Sequence, residues 1–325
     1  MDKKVIIAIA AVAIIVVAGV CIYFAFMKDD KKLGGTEVYS DIKVGDVIDL
    51  KVDVAMTSDT TAVVDVSEAL ENMYFAVVGA QPVGTKDVAF DGKTYSCDIY
   101  EISNEETDDT ITYYVIRTSG VILEMEQENG YQKLKSTNCD LEKTIEEQQV
   151  VVGTTFTYHM LAAIPGASAK MASGELTCTV TELGSEDDCK LRTVMDLKQN
   201  SRESRQLESI TGDVYKFKDD VTEYTKDGAM SIYAYPSLEN YLKDQFGDSV
   251  VMGAKTTQKI DTAYGEREVT VQSISVNVFG FSTDYKCYYG SKDVMYKVEG
   301  SALFEGFGLI TTTSELLDCD AVKSL

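Results

Sequence analysis

The sequence predicts an α+β protein dominated by strands: an N-terminal transmembrane helix followed by two tandem antiparallel-sheet units, each with a short covering helix. An uncharged apolar run occupies Val5–Met27, and the remaining chain alternates apolar and polar residues between turns. Three short patterns also recur in the same order.

The run from Val5 to Met27 has 23 residues without a charge, and as a helix it extends about 34 Å, enough to cross a bilayer. A cleavable secretory signal has a shorter apolar core followed by small residues. Here the run continues through Cys21, Ile22, Tyr23, Phe24 and Phe26 directly into Lys28, the pattern of an uncleaved anchor. Ala18-Gly19-Val20-Cys21 approaches a lipidation signal, but Val20 stands where a small residue is needed. Lys3 and Lys4 on one side are matched by Lys28, Lys31 and Lys32 on the other, so charge alone does not orient the helix. The short N-terminal tail and a cysteine-bearing body place the N-terminus in the cytoplasm and the body outside, in a single-pass arrangement. Residues 1–32 form the anchor and juxtamembrane segment.

The whole chain carries a net charge of −23, and residues 1–32 hold five Lys and three Asp, which leaves the body near −25. That balance excludes nucleic acid as a partner and disfavours adsorption to anionic headgroups. A solvated acidic surface is its plainest meaning. With 45% hydrophobic residues and 3 prolines the body is not disordered.

The first recurring pattern sets Val44-Gly45-Asp46-Val47 beside Val152-Gly153-Thr154-Thr155, each opening an alternating strand. The second is Leu70-Glu71-Asn72 beside Leu238-Glu239-Asn240, each in a short helical pattern with Ser67 or Ser237 as N-cap and Gly79 or Gly247 as terminator. The third is a β segment with a turn at Asp91-Gly92 or Tyr264-Gly265 that ends in Asn138-Cys139-Asp140 or Asp318-Cys319-Asp320. Their collinearity predicts a tandem duplication, with units at 38–143 and 150–320. Val-Gly precedes Leu-Glu-Asn by 26 residues in the first and 86 in the second, so an insertion falls near 160–230.

Within the first unit, Leu70, Met73, Tyr74 and Val77 mark the apolar face of the covering helix. Asp91-Gly92 supplies the positive φ angles of a two-residue hairpin between strands at 85–90 and 93–102. A second hairpin runs from Ile111 to Ile116, turns at Thr118-Ser119-Gly120, and returns through Val121 to Glu126.

Helix, strand, Asp-Gly turn and the hairpin Tyr113-Tyr114-Val115-Ile116-Arg117-Thr118-Ser119-Gly120-Val121-Ile122-Leu123-Glu124-Met125-Glu126 together resemble the outer-membrane lipoprotein-carrier superfamily. The resemblance covers about 55 residues of unit one. It implies a curved antiparallel sheet wrapped around helices and an apolar cavity, and so a carrier or sensor of apolar ligands. The transmembrane anchor, the two copies and the lack of a lid segment depart from that family. The Val-Gly-Asp opening behind an N-terminal anchor also resembles membrane-anchored surface proteins of methanogenic archaea, which implies location only.

The one histidine, His159, lies in the strand opening unit two, without a local partner for catalysis or further metal ligands at suitable spacing. Ser40-Asp41-Ile42-Lys43 has the Ser-x-x-Lys spacing but precedes a strand. The acidic clusters at Glu105-Glu106 with Asp108-Asp109, at Glu186-Asp187-Asp188 and at Asp219-Asp220 read as loop tips. No residue is therefore assigned as catalytic, cofactor-binding or metal-binding. Cys178 and Cys189 flank a hairpin pattern and are expected to bridge across it; Cys97 with Cys139 and Cys287 with Cys319 are further candidates within their units.

The sequence thus points to a membrane-tethered, non-enzymatic extracytoplasmic module for binding or envelope organisation. A carrier of apolar ligands and an enzyme are the alternatives. The full chain should resist alkaline carbonate extraction from membranes, whereas a chain lacking residues 1–28 should appear folded in the soluble fraction. Aggregation of the shortened chain under every mild condition would contradict the division.

Overall fold

The computed structural model describes residues 43–104, 109–128, 130–163, 171–184, 187–212, 214–218, 223–225, 249–278, 281–290, 295–304 and 308–320. Among them are seventeen strands, two 3-10 helices and no α-helix. The fold class is therefore β, which corrects the α+β expectation. Val5–Met27 lies outside the described residues, and no helix among the described residues is long and apolar enough to cross a membrane.

Strand β1 (Val47–Asp65) alternates Ile48, Leu50, Val52, Val54 and Met56 with polar or small residues, as one buried face requires. The expected covering helix follows as a single 3-10 helix over Glu68–Met73, which buries Ala69, Leu70 and Met73. It stops there because Tyr74 is extended and bridges Val121, while the Phe75 N–H donates to the Gly120 carbonyl at 2.9 Å. Ser67 is already in helical conformation and makes no capping bond. The counterpart at Leu238–Asn240 lies outside the described residues.

A meander of β2 (Gly84–Phe90), β3 (Lys93–Asn104), β4 (Asp109–Ile116), β5 (Ile122–Gln127), β6 (Gly130–Thr137), β7 (Thr155–Ala163), β8 (Met171–Leu183) and β9 (Asp188–Thr211) follows, each strand antiparallel to the next. Asp91 and Gly92, both at positive φ, close the β2–β3 hairpin. A second 3-10 helix covers Ile145–Glu147. The later strands are β10 (Val214–Phe217), β11 (Glu223–Thr225), β12 (Val250–Met252), β13 (Thr256–Thr262), β14 (Gly265–Val278), β15 (Phe281–Tyr289), β16 (Met295–Phe304) and β17 (Gly308–Cys319).

These elements cluster into two compact units, whose described residues are 56–163 with 171–199, and 43–55 with 200–320. Residues 150–199, expected to open the second unit, pack with the first. Residues 43–55, expected to open the first, pack with the second. β1 and β9 each begin in one unit and end in the other.

In the first unit Leu70, Met73, Cys97, Leu123, Phe156 and Tyr158 share one core. The Tyr158 hydroxyl donates to the Asn72 carbonyl at 3.2 Å, and its ring meets Phe156 edge-on at 5.8 Å. In the second unit β13, β14, β15, β16 and β17 form consecutive antiparallel pairs, β17 pairs with β1, and the end of β9 pairs with β10. Ile48, Leu50, Leu207, Phe217, Tyr288 and Leu316 fill its core.

The Val-Gly openings of β1 and β7 have the same hydrogen bonds. Gly45 (φ +97°) donates to the Leu207 carbonyl at 2.8 Å and Leu207 returns a bond to Asp46; Gly153 (φ +91°) donates to Val180 at 2.8 Å and Val180 returns one to Thr154. Such φ values favour glycine at both places. Lys43 N–H donates to Asp46 Oδ2 at 2.8 Å, as Val151 N–H donates to Thr154 Oγ1 at 2.9 Å. Val47 N–H donates to Asp320 Oδ2 at 3.0 Å and its carbonyl accepts from Asp320; Thr155 N–H donates to Asn138 Oδ1 at 2.9 Å and its carbonyl accepts from Asn138. Asn138 thus matches Asp320, two residues beyond the Asp318 that sequence alignment pairs with it.

Phe156 is 1% exposed, so Phe156→Ala should cost about 3–5 kcal/mol in urea denaturation, with the m-value unchanged. A loss below about 1 kcal/mol would show that this core is not continuous around the ring.

Candidate functional site

Residues directly opposite on adjacent antiparallel strands direct their side chains to the same face. By that rule the first unit carries an unbroken cross-strand row: Ile99 on β3, Tyr114 on β4, Glu124 on β5, Lys133 on β6, His159 on β7 and Glu175 on β8. The Tyr114 hydroxyl donates to Glu126 Oε2 at 3.2 Å. Lys133 Nζ donates to Glu126 Oε1 at 2.9 Å and to Glu124 Oε2 at 3.5 Å. Lys86 Nζ lies 4.2 Å from the centroid of the Tyr114 ring, within cation–π range. His159 stacks on Tyr131 at 5.6 Å, and Glu175 is held by Lys135.

The second unit builds a row of the same kind from Tyr288, Lys297, Glu315 and Lys51. The Tyr288 hydroxyl donates to Glu299 Oε2 at 2.7 Å. Lys297 bridges Glu299 at 2.9 Å and Glu315 at 3.5 Å, and Lys51 lies 3.9 Å from Glu315. The Glu124–Lys133 pair of the first row becomes Lys297–Glu315 in the second. Cross-strand attraction needs opposite signs and is indifferent to which strand bears which.

Burial raises the Tyr114 pKa, and the neighbouring Glu126 charge adds to it. The Lys133 hydrogen bond holds the Glu126 carboxyl below the ordinary range against the effect of burial. Burial alone would lower Lys133, but Glu126 and Glu124 outweigh it and raise the pKa. The second row repeats these directions: burial raises Tyr288, while the bonds from Lys297 and Tyr288 overcome burial and lower Glu299. Each group is thereby fixed in its ordinary neutral-pH state, with a phenol, a carboxylate and an ammonium side by side. A general acid or base working near neutrality needs a pKa displaced toward neutrality, the opposite of these shifts.

The cysteines correct the expected Cys178–Cys189 bridge. Cys178 stands opposite Thr193 and Cys189 opposite Leu183, four residues away along β9, or about 13 Å at the rise of a strand. A disulfide needs Cα atoms within about 7 Å. Cys178 instead approaches Thr193 Oγ1 at 3.8 Å. Cys97, Cys139, Cys178, Cys189 and Cys287 are free thiols. Burial pushes Cys97 up to about 11 and Cys287 up to about 12, so neither is a ready nucleophile. Cys319 is buried in the second core, where its N–H donates to the Tyr264 hydroxyl at 2.7 Å.

Of the acidic clusters, Glu105, Glu106, Asp108, Glu186, Asp219 and Asp220 lie outside the described residues, as does Ser40. Among the described residues no three His, Cys, Asp or Glu side chains converge as metal ligands.

A feature that sequence reasoning missed lies beside the 3-10 helix. Phe75 stacks on Tyr100 at 4.2 Å and meets Tyr113 at 5.2 Å, all three rings half-buried. Tyr100 and Tyr113 are opposite one another on β3 and β4, and Met125 is opposite Tyr113 on β5. Val78, 99% exposed, and Val83, 61% exposed, are close to this cluster in sequence. The available signal was the run Tyr74-Phe75-Ala76-Val77-Val78, too apolar for one helix face. Fold and side chains together define a β-sheet protein of two strand-rich units. No protein-family model matches the chain, and no curated protein matches it.

A group whose pKa is lowered on folding stabilises the folded state above its unfolded pKa, and the contribution disappears as pH falls through the folded value. Glu126→Gln should therefore lower stability at pH 7 by about 0.5 kcal/mol, a small figure because the pair is more than a third exposed to screening solvent. The difference from the unmodified chain should close as pH falls below about 4. A gap that persists at pH 3 would mean that Glu126 acts by packing and not by charge.

Proposed function

We propose that the protein is a non-enzymatic binding module of the cell envelope, held at the membrane through Val5–Met27, which takes a protein partner on the Phe75–Tyr100–Tyr113 face of its first unit. The observation that carries the reading is this aromatic cluster, only half-buried and followed in sequence by a fully exposed Val78. Large rings present much contact area at small entropic cost, which is why Tyr and other aromatics are enriched at protein interfaces. The cross-strand rows support the same reading: their ionised groups are bonded to one another and brace the sheets. Net charge of −23 favours a partner surface bearing basic residues around an apolar centre.

The test is benzophenone photocrosslinking in living cells. Benzoylphenylalanine at position 78 or 83 should give a discrete light-dependent adduct that Tyr100→Ser abolishes, while the probe at the exposed Thr60 should give none. No adduct at either valine, or the same adducts from Thr60, would sink the proposal.

A further inference from the structure

We infer that the chain is a tandem duplication whose two repeats have exchanged their opening strands. The first repeat runs from Val44-Gly45 to Asp140 and the second from Val152-Gly153 to Asp320. Each Val-Gly node has the same six backbone and capping hydrogen bonds, which match Val47 to Thr155, Asp320 to Asn138 and Leu207 to Val180. In the node at Thr155, the capping Asn138 belongs to the first repeat while Thr155 and Val180 belong to the second. In the node at Val47 the opening and capping residues reverse origin, Val47 being from the first repeat and Asp320 from the second, while Leu207, like Val180, belongs to the second. Each opening strand therefore lies against the closing strand of the other repeat.

The side chains follow the same correspondence. Matching Val47 to Thr155 places Ile48 on Phe156 and Leu50 on Tyr158, all four buried in the cores of their own units. It also places Lys51 on His159, and the rows agree: Tyr114, Glu124, Lys133 and His159 correspond to Tyr288, Lys297, Glu315 and Lys51. The exchange further accounts for two unusual lengths. β1 has 19 residues and β9 has 24, about twice the common upper size, because each strand contributes to both units. The partner that fits the slot between β17 and the end of β9 is thus the opening strand of a Val-Gly repeat, and this chain supplies it from its own first repeat.

If the repeats are exchanged, cutting the chain between them leaves two pieces that hold each other by β-ladders. A protease site inserted after the exposed Gln149 in the full detergent-purified chain divides it into 1–149 and 150–325. The pieces should co-elute at equal ratio and separate only in denaturant. Engineered cysteine pairs then report the strand neighbours directly. Lys51→Cys with Glu315→Cys, and separately Lys133→Cys with His159→Cys, should each join the two pieces on a non-reducing gel. Unexchanged repeats would place position 51 opposite 133 and position 159 opposite 315. Crosslinking of Lys51→Cys with Lys133→Cys within piece 1–149, or elution of the cut pieces as two separate folded bodies, would overturn the inference. The uncut chain bearing each pair, checked for its native melting transition, distinguishes misfolding from a changed neighbour.

Discussion

A strand edge left bare exposes a row of unpaired N–H and C=O groups, and the pairing of β1 answers that constraint. At its start, Gly45 and Asp46 exchange bonds with Leu207 on β9 while Val47 is capped by Asp320 beyond β17. At its far end, the Val66 N–H donates to the Asp187 carbonyl, and Arg192 clasps Asp59 through two bonds at 2.8 and 2.6 Å. Ile48 and Leu50 can sit in the second core only because this register sends them there. A slip by one residue would turn both toward the opposite face.

Register also governs the ionisable rows. Lys133 neutralises Glu126 and Glu124 because β6 pairs with β5 at that offset, and the Tyr114 hydroxyl meets Glu126 across the neighbouring pair. The second unit reaches the same result with the charges of the opposed pair interchanged. Such a position is free to vary in sign provided that its neighbour varies with it. Sheet stability and polar satisfaction thus come from one geometric source, and the half-buried rings of Phe75, Tyr100 and Tyr113 stand apart from it.

Features set by local chemistry are legible in the sequence. Asp91-Gly92 adopts two consecutive positive φ angles because few other residue pairs tolerate them, and the Val-Gly openings bend at Gly45 and Gly153 for the same reason. Over Ser67–Gly79 the helical spacing of Leu70, Met73, Tyr74 and Val77 is overridden by the bridge from Tyr74 to Val121, and the helix ends at Met73. The proposed Cys178–Cys189 bridge failed because a hairpin pattern does not specify how far each thiol stands from the turn. An irregularity between Val180 and Glu182 and the late start of β9 set the thiols four residues out of register.

By itself the sequence determined the strand-rich character, the tight turns and the recurrence of Val-Gly openings, because alternation and positive φ are properties of a few adjacent residues. Tertiary structure alone decided which strands adjoin. Residues 43–55 match the opening of 152 in sequence, yet they complete the unit formed by the end of the chain. His159 and Lys51 occupy corresponding places although no local signal connects them. Backbone hydrogen bonds between strands carry no residue-specific label, so a strand with one apolar face suits several edges. The choice among edges rests on side chains such as Asn138 and Asp320, which only the folded chain brings within reach of Thr155 and Val47.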